Sequence, residues 1–595
     1  MAPMAIRNLL TLSLAALMAA PPLASAAPAR AQDGTPTAAA CARLGFHQPE
    51  PQRAWSRPPP PGMAAPMAMA APPPPPPPSP QLQPRPPAPP PAGLASIPPL
   101  PVPPAQQRLA APGLGPFSPV DTERYPEATA NPVKRTAEDP VSTFSIDVDT
   151  ASYANVRRFL NDGSRPPTDA VRVEELINYF DYGYQRPSTR QSPFATSVSV
   201  VPSPWSSDRE ILHIGLQGYE LPASEQPPLN LVFLIDTSGS MESADRLPLA
   251  RKAMNVLIDQ LRPEDRVAMV AYAGSAGAVL APTDGRQKLM MRCALTALSA
   301  GGSTAGGEGL ALAYDLAQQN FDPKAINRVI LMTDGDFNVG LADPARMEDF
   351  VAEKRRSGVY LSVYGFGRGN YNDQMMQTLA QNGNGTAAYI DTLAEARRLF
   401  LRDLPAAMFP IAQDVKIQVE FNPARVSEYR LIGYETRLLN REDFNNDQVD
   451  AGEVGSGASV TALYEITPAG ARGSVDPLRY QTERRPQGQG QELAFIKVRH
   501  QPPGGGTSEL MTRPVTNRDR ATSLASAPEA TRWAVAVAAF GQKLRGDPWV
   551  SDEYGWEEVE ALAQGARGRD PDGDRAEFVT LVRSAADAHV RPQGH

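Results

Sequence analysis

Residues 229–241, LNLVFLIDTSGSM, join an apolar run to a polar loop. The run at 231–235 is bounded by polar turn residues, and such runs are typical of strands buried on both faces of a parallel sheet. Asp236, Ser238 and Ser240 alternate in the loop, and a helical pattern follows them. The pattern therefore predicts a carboxylate and two hydroxyls at the C-terminal end of a strand, where open α/β sheets bind ligands.

Two later stretches place further oxygen atoms after predicted strands or loops. Thr304 ends the glycine-rich loop GGST, and Asp334 follows a second apolar run at 329–333. Carboxylate and hydroxyl oxygens are hard donors, which suit Mg²⁺, Mn²⁺ or Ca²⁺ better than zinc or copper. The alternative for the first loop is ordinary helix N-capping, which also uses Asp and Ser.

Together, the three stretches resemble the metal-ion-dependent adhesion site of von Willebrand factor type A (VWA) domains. The resemblance implies a doubly wound α/β fold and a divalent cation, with Mg²⁺ expected ahead of Mn²⁺ and Ca²⁺. It also implies an open coordination position for an Asp or Glu carboxylate of a protein partner. The implied metal ligands are Asp236, Ser238, Ser240, Thr304 and Asp334.

The periodicity around this loop predicts a VWA domain over residues 229–404. Apolar runs at 231–235, 266–272, 329–333 and 359–366 alternate with helical patterns. Such alternation favours a mostly parallel sheet with helices on both faces. We expect Asp236→Ala to abolish divalent-ion binding and partner binding and to leave the fold largely intact, because the loop is at the edge of the sheet.

The N-terminal sequence predicts that the protein is exported. Residues 1–26 have the pattern of a signal peptide, and residues 27–120 form a proline-rich segment that should be disordered. No later segment is long and apolar enough to span a membrane, so we expect a periplasmic, envelope-associated or secreted protein. The chain has two cysteines, Cys41 in the proline-rich segment and Cys293 in a helical pattern. We do not expect a bridge between them.

The flanks of the VWA domain predict a β-rich host. Residues 121–228 contain strand-like segments at 195–201 and 211–216, and residues 405–525 contain others at 415–421 and 429–434; residues 526–595 read as helices. Neither flank covers its own edges, so we predict that both form one antiparallel sheet, with the VWA domain inserted and its metal edge facing away from the junction. The layout resembles exported bacterial VWA proteins with a C-terminal domain of unknown function.

The remaining features point away from catalysis and from nucleic acid. The net charge is −8, the five histidines are scattered, and neither a nucleophile elbow nor a Walker lysine occurs. Acidic groups at Asp147 and Asp149, at 443–447 and at 570–574 are interpreted as caps or solvated turns. The alternatives to a binding protein are a metal-assisted hydrolase, with Asp336 or Glu308 as base, and an envelope structural protein with a vestigial site.

Overall fold

The computed structural model describes residues 35–47, 122–127, 129–146, 149–335, 344–449, 451–476, 478 and 490–590. The helices are α1 Ala38–Ala42, α2 Ala151–Asn161, α3 Val173–Asn178, α4 Leu247–Gln260, α5 Lys288–Ala297, α6 Gly306–Gln319, α7 Pro344–Arg356, α8 Asp373–Asn382, α9 Leu393–Arg397, α10 Leu404–Met408, α11 Glu529–Arg545, α12 Trp556–Ala566 and α13 Asp574–Val590. The strands are β1 Lys134–Arg135, β2 Val141–Ser145, β3 Phe194–Pro202, β4 Glu210–Gly218, β5 Leu229–Asp236, β6 Arg266–Tyr272, β7 Ala276–Asp284, β8 Ile326–Thr333, β9 Val359–Phe366, β10 Ala387–Ile390, β11 Pro410–Phe421, β12 Val426–Ile432, β13 Leu438–Leu439, β14 Val454–Gly455, β15 Ser459–Pro468, β16 Glu492–Gln501 and β17 Glu509–Thr516.

The central sheet has the order β10-β9-β8-β5-β6-β7 and is parallel except for β7. Every residue of β5 is buried, because Leu231 and its neighbours lie between β6 and β8 in register with Val267 and Arg328. Helices α4 and α5 pack on one face, and α6 and α8 pack on the other. The predicted doubly wound fold is confirmed. The antiparallel edge strand β7 was not predicted.

The host contains strands from both flanks of the central domain. One sheet has the order β1-β12-β15-β4-β3, and the other has the order β13-β2-β11-β16-β17, with β14 on β11. Strand β4 pairs with β15 over eight residues, and β2 pairs with β11 over five. The prediction of an inserted central domain is confirmed. The prediction of one sheet is wrong, because β11 pairs with β2 in one sheet, while β12 pairs with β15, and β15 with β4, in the other.

The C-terminal helices complete the host core. Helix α11 packs on α3, and Trp533 and Phe540 are fully buried there. The ring of Trp533 meets Phe180 and Phe578 edge-on, which joins α11 and α13 to residues before the central domain. The prediction that these helices pack on the host is confirmed.

The N-terminal part differs from expectation over residues 35–47. They form α1, and Cys41 is bonded to Cys293 of α5 by a disulfide. The prediction that these two cysteines stay apart is wrong, because α1 buries Cys41 against the helix that carries Cys293. The predicted signal peptide and the rest of the proline-rich segment lie outside the described residues. Across the described ranges, none of the helices has the length and apolar character needed to cross a membrane.

Candidate functional site

The first loop of the candidate site begins where β5 ends. Asp236 is the last residue of β5, and one of its carboxylate oxygens, Oδ1, accepts a hydrogen bond from the Ser238 amide at 2.9 Å. A turn at Gly239–Glu242 then brings the Ser240 hydroxyl within 3.0 Å of the Ser238 hydroxyl. The alternation in the sequence therefore places both serine oxygens on one side of the loop.

The other oxygen of Asp236, Oδ2, is held by two buried hydroxyls. Tyr272 at the end of β6 and Thr333 at the end of β8 each donate to it at 3.0 Å. Asp236 has no exposed surface, and burial raises its pKa, to which the nearby Asp334 also contributes. Sequence reasoning missed Tyr272 and Thr333, although each is the last residue of an apolar run.

The second loop, which carries Thr304, is bonded to the first. The Gly301 amide donates to the Thr237 carbonyl at 2.8 Å, and the Gly239 amide donates to the Gly302 carbonyl at 3.0 Å. Gly302 has a φ of +86°, which favours glycine. Thr304 is half-buried and lies just before α6. These two backbone bonds fix the Thr304 loop beside the serines.

The third loop follows β8 and carries Asp334, which is fully buried. The next residue, Gly335, has a φ of +100°, and a Cβ atom there would lie 2.6 Å from the Asn372 amide nitrogen. Only glycine allows the chain to turn this close to the loop after β9. The structure therefore brings the three predicted loops to one edge of the sheet.

Arg246 joins the first and third loops, and sequence reasoning missed it. Its Nη1 atom lies 2.6 Å from the Ser240 carbonyl and 2.8 Å from Asp334 Oδ2. Its Nη2 atom donates to Asn370 Oδ1 at 2.7 Å and to the Arg368 carbonyl. Because Nη1 contacts both loops, Ser240 and Asp334 lie on either side of one guanidinium. No spacing in the sequence signals this role.

The donor set fits a hard divalent cation. Two carboxylates and three hydroxyls lie on three loops that hydrogen bonds hold together, and the mutual repulsion of Asp236 and Asp334 is the kind that a bound cation relieves. Among the residues that the structure describes, no group of three His, Cys, Asp or Glu side chains could hold a metal. A cation at this edge would therefore depend on the hydroxyls.

The other acidic candidates have structural partners or lie elsewhere. Asp149 accepts from the Ala387 amide and pairs with Arg437, whereas Asp147 and Asp336 lie outside the described residues. Glu308 is exposed on the first turn of α6. In the two acidic turns, Asp443 accepts from the Asn440 amide, and Asp570 accepts from two amides at the start of α13. The bonds of Asp443 and Asp570 agree with capping. The prediction that Asp149 caps α2 is wrong, because its carboxylate bonds to β10 and to Arg437, and the N-cap side chain of α2 makes no capping hydrogen bond.

Comparison with known proteins matches the two main parts of the chain separately. Residues 230–402 match the von Willebrand factor type A domain, and residues 406–588 match the family described as "Uncharacterized protein YfbK, C-terminal". Residues 119–213 match a family described as von Willebrand factor.

Two curated relatives and one solved structure illustrate the similarity. The uncharacterized protein YfbK of Escherichia coli K12 is 45% identical over 472 residues, which cover 78% of this chain and 81% of YfbK. The uncharacterized protein sll0103 of Synechocystis is 31% identical over 179 residues, covering 29% of this chain and 41% of that protein. A von Willebrand factor type A structure from Catenulispora acidiphila covers 68% of this chain and 91% of its own, at 17% identity and a TM-score of 0.38.

Proposed function

The chain belongs to the family of the Escherichia coli protein YfbK, and on that premise we propose that it is an exported, metal-dependent protein-binding protein. It carries a VWA domain, a domain type used for adhesion and protein interaction. The observation that carries the proposal is the convergence of three loops with two carboxylates and three hydroxyls at one edge of the sheet. The proposed ligands of a divalent cation, Mg²⁺ first, are Asp236, Ser238, Ser240, Thr304 and Asp334.

The composition of the site favours binding of a carboxylate. Only two of the five donors carry charge, so they balance a divalent cation without excess negative charge, and the cation would stay electrophilic enough to offer a coordination position to an Asp or Glu of a protein partner. The protein's own residues prepare this site. Tyr272 and Thr333 orient Asp236, and the Ser238 amide fixes its other oxygen.

Arg246 gives the rim of this site a second positive charge. Its side chain is 14% exposed, next to Asp334 and the Ser240 carbonyl. A partner carboxylate that approaches this edge therefore meets a guanidinium as well as the cation site. Charge complementarity of this kind favours acidic partners and speeds their association.

The disulfide supports the proposal of export. Disulfides form and persist in oxidising compartments such as the periplasm and the exterior of the cell. The Cys41–Cys293 bond uses both cysteines of the chain. Together with the predicted signal peptide at 1–26, it favours a location in the cell envelope or outside the cell.

We also propose that the protein is not an enzyme. Metal-assisted hydrolysis would need a general base at the cation site, and Glu308 is an exposed residue on the surface of α6. The site as described positions oxygen ligands and a guanidinium, which suit recognition.

Affinity purification from envelope extracts tests the proposal. Wild-type protein should capture a partner with Mg²⁺ or Mn²⁺, should lose it in EDTA, and should recover it when the metal is restored. Asp236→Asn should capture nothing, whereas Glu242→Gln, which changes an exposed carboxylate on the same turn, should behave as wild type. If the partner is still captured in EDTA and by Asp236→Asn, a structural protein with a vestigial site is favoured. Turnover of a substrate from a test panel would favour the hydrolase.

A further inference from the structure

Among the buried arginines that the structure describes, one in the central sheet lacks the carboxylate partner that the others have. Within the described ranges, eight arginines are buried, and seven of them have a carboxylate oxygen within 4.0 Å. The seven are Arg157, Arg158, Arg172, Arg398, Arg430, Arg545 and Arg575. Arg328, with 2% of its surface exposed, is the eighth, and no carboxylate of a described residue lies that close to it.

The free side of this guanidinium has the geometry that binds anions. Nη1 of Arg328 donates to the Ser362 hydroxyl at 2.6 Å, and the guanidinium lies over the Tyr360 ring, 5.5 Å from its centroid. Among the described residues, Nη1 is the only nitrogen of this guanidinium with a hydrogen-bond partner, so Nη2 has none, and Nε is buried without one. These two nitrogens form one edge of the guanidinium, the edge that a carboxylate or a phosphate contacts with two parallel hydrogen bonds.

Arg328 lines a cavity of about 510 Å³ between the central sheet and the host. Tyr364 and the loop before β10 line it from the sheet, and Ser145 and the segment 455–459 line it from the host. Arg328 is near the start of β8, whereas Asp334 follows the end of the same strand. Arg328 is therefore at the opposite end of this strand from the candidate cation site, and the size of the cavity is typical of small-molecule sites.

The other arginines that line the cavity are already neutralised. Arg437 pairs with Asp149, and Arg398 pairs with Glu395 and Asp403. Arg402 pairs with Asp574. The remaining pair, Arg186 with Glu220, is exposed. Among the described arginines that line the cavity, Arg328 alone thus has no carboxylate within ion-pair distance.

A buried charge without a counter-ion destabilises a folded protein, so its presence calls for a compensating group. Burial lowers the pKa of Arg328, and Glu453, a more distant lining residue, opposes this shift only in part. The cation–π contact with Tyr360 supplies some attraction, but it gives Nε no hydrogen-bond acceptor.

We propose that this cavity is a binding site for a small anionic ligand, whose carboxylate or phosphate group pairs with the Nε and Nη2 edge of Arg328. The polar lining, with Asn382, Asn384 and Ser456, contacts the rest of the ligand. The site is independent of the proposed cation site, because it uses none of the same residues.

Thermal-shift and calorimetric titrations of the full-length protein with orthophosphate, citrate and glutarate test this site, with sodium chloride as the ionic-strength control. At least one of the three anions should raise the unfolding midpoint of wild type, and Arg328→Met should lose that affinity at least tenfold. Arg186→Met, a change at an exposed and paired guanidinium of the same cavity, should bind as wild type. Asp236→Asn should also bind as wild type, which separates this site from the cation site.

The stability of the variant without anion separates a ligand site from a structural role. Arg328→Met should be at least as stable as wild type, because it removes an uncompensated buried charge. If Arg328→Met does not fold, Arg328→Lys decides, since it keeps the charge and loses the two-donor edge; tenfold weaker binding supports the site. A response to orthophosphate alone identifies a phosphate ligand, and a response to citrate or glutarate alone identifies a carboxylate. Equal affinity of wild type and variant, or no response of wild type to any of the anions at 10 mM, overturns the proposal.

Discussion

Replacing Asp236 by Ala and by Asn should separate its structural role in the loop from its proposed role as a cation ligand. From the sequence we expected the Ala variant to keep its fold, because the loop is at the edge of the sheet. The structure changes that expectation. Asp236 is fully buried and accepts three hydrogen bonds, from the Ser238 amide and from the hydroxyls of Tyr272 and Thr333.

The cost of Asp236→Ala follows from those three bonds. A hydrogen bond to a charged group contributes about 1.5–3 kcal/mol, and a buried donor that loses its acceptor costs about 1–3 kcal/mol. Relief of the repulsion from Asp334 offsets part of this loss. We therefore expect Asp236→Ala to lower the free energy of unfolding by about 3–5 kcal/mol, a sum that is not strictly additive. Asp236→Asn retains an acceptor and the shape of the side chain, and should cost about 1–2 kcal/mol.

Urea unfolding and calorimetry of the same samples measure both effects. Asp236→Asn should fold and should bind Mg²⁺ at least about tenfold more weakly than wild type, which is about 1.4 kcal/mol. Glu242→Gln serves as the control for a changed charge on the same turn. The reasoning fails if Asp236→Ala unfolds at the wild-type urea concentration, or if Asp236→Asn binds Mg²⁺ as tightly as wild type does.

Three further predictions concern Cys41, Arg246 and Glu174. Cys41→Ser removes a disulfide between residues 252 positions apart and should lower the free energy of unfolding by about 2–5 kcal/mol. In urea, wild type with reductant should unfold at the same midpoint as the variant. Equal wild-type midpoints with and without reductant would contradict the disulfide. Arg246→Gln removes a cation beside Asp334 and should tighten Mg²⁺ binding several-fold in calorimetry, whereas weaker binding would show that Arg246 mainly supports the loops. Burial raises the pKa of Glu174 from 4.5 to about 7, so between these pH values Glu174 is protonated in the folded protein and ionised in the unfolded chain. The free energy of unfolding of wild type should therefore fall as the pH rises from about 4.5 to about 7. The Glu174→Gln variant should lack this part of the pH dependence.

The strands of the central sheet could be predicted because their apolar runs fit burial on both faces. Strands β6 and β9 have the predicted bounds of 266–272 and 359–366. The edge strand β7 has no such run, because most of its residues are exposed or half-buried and its sequence AGAVLAPTD contains Gly and Pro. Periodicity detects a strand through its buried face, so a mostly exposed edge strand leaves little signal.

The polar contacts of the site could not be predicted from the sequence, for a different reason. Asp236 and Asp334 stand at the ends of recognisable strands, so their positions follow from the topology. Arg246, in contrast, reaches Asp334 and Asn370 across loops that are 88 and 124 positions away in sequence (246 to 334, and 246 to 370). The Cys41–Cys293 disulfide could not be predicted for the same reason, since a short helix surrounded by proline-rich sequence does not indicate where it packs.

The insertion of the central domain places its two edges in different surroundings. The chain enters from the host at the start of β5, and Asp236 ends that strand, so the candidate cation loops are at the other end of the strand. The host nevertheless reaches that edge beside the site. The backbones of Thr122 and Arg124 bond to Gly369 and Tyr371, in the loop after β9.

Contacts of Arg246 connect this host segment to the candidate cation site. Arg246 donates to the Arg368 carbonyl and to Asn370, and the amide of Gly369, between them, donates to Glu123 at 2.8 Å. Glu123 in turn forms a two-bond ion pair with Arg158 of α2. The guanidinium beside Asp334 is therefore positioned by a loop that the host holds. Because a cation and Arg246 would both favour contact with Asp334, the stiffness of that loop should enter the free energy of the proposed metal binding. We therefore expect metal titrations of the isolated central domain to differ from those of the full-length protein.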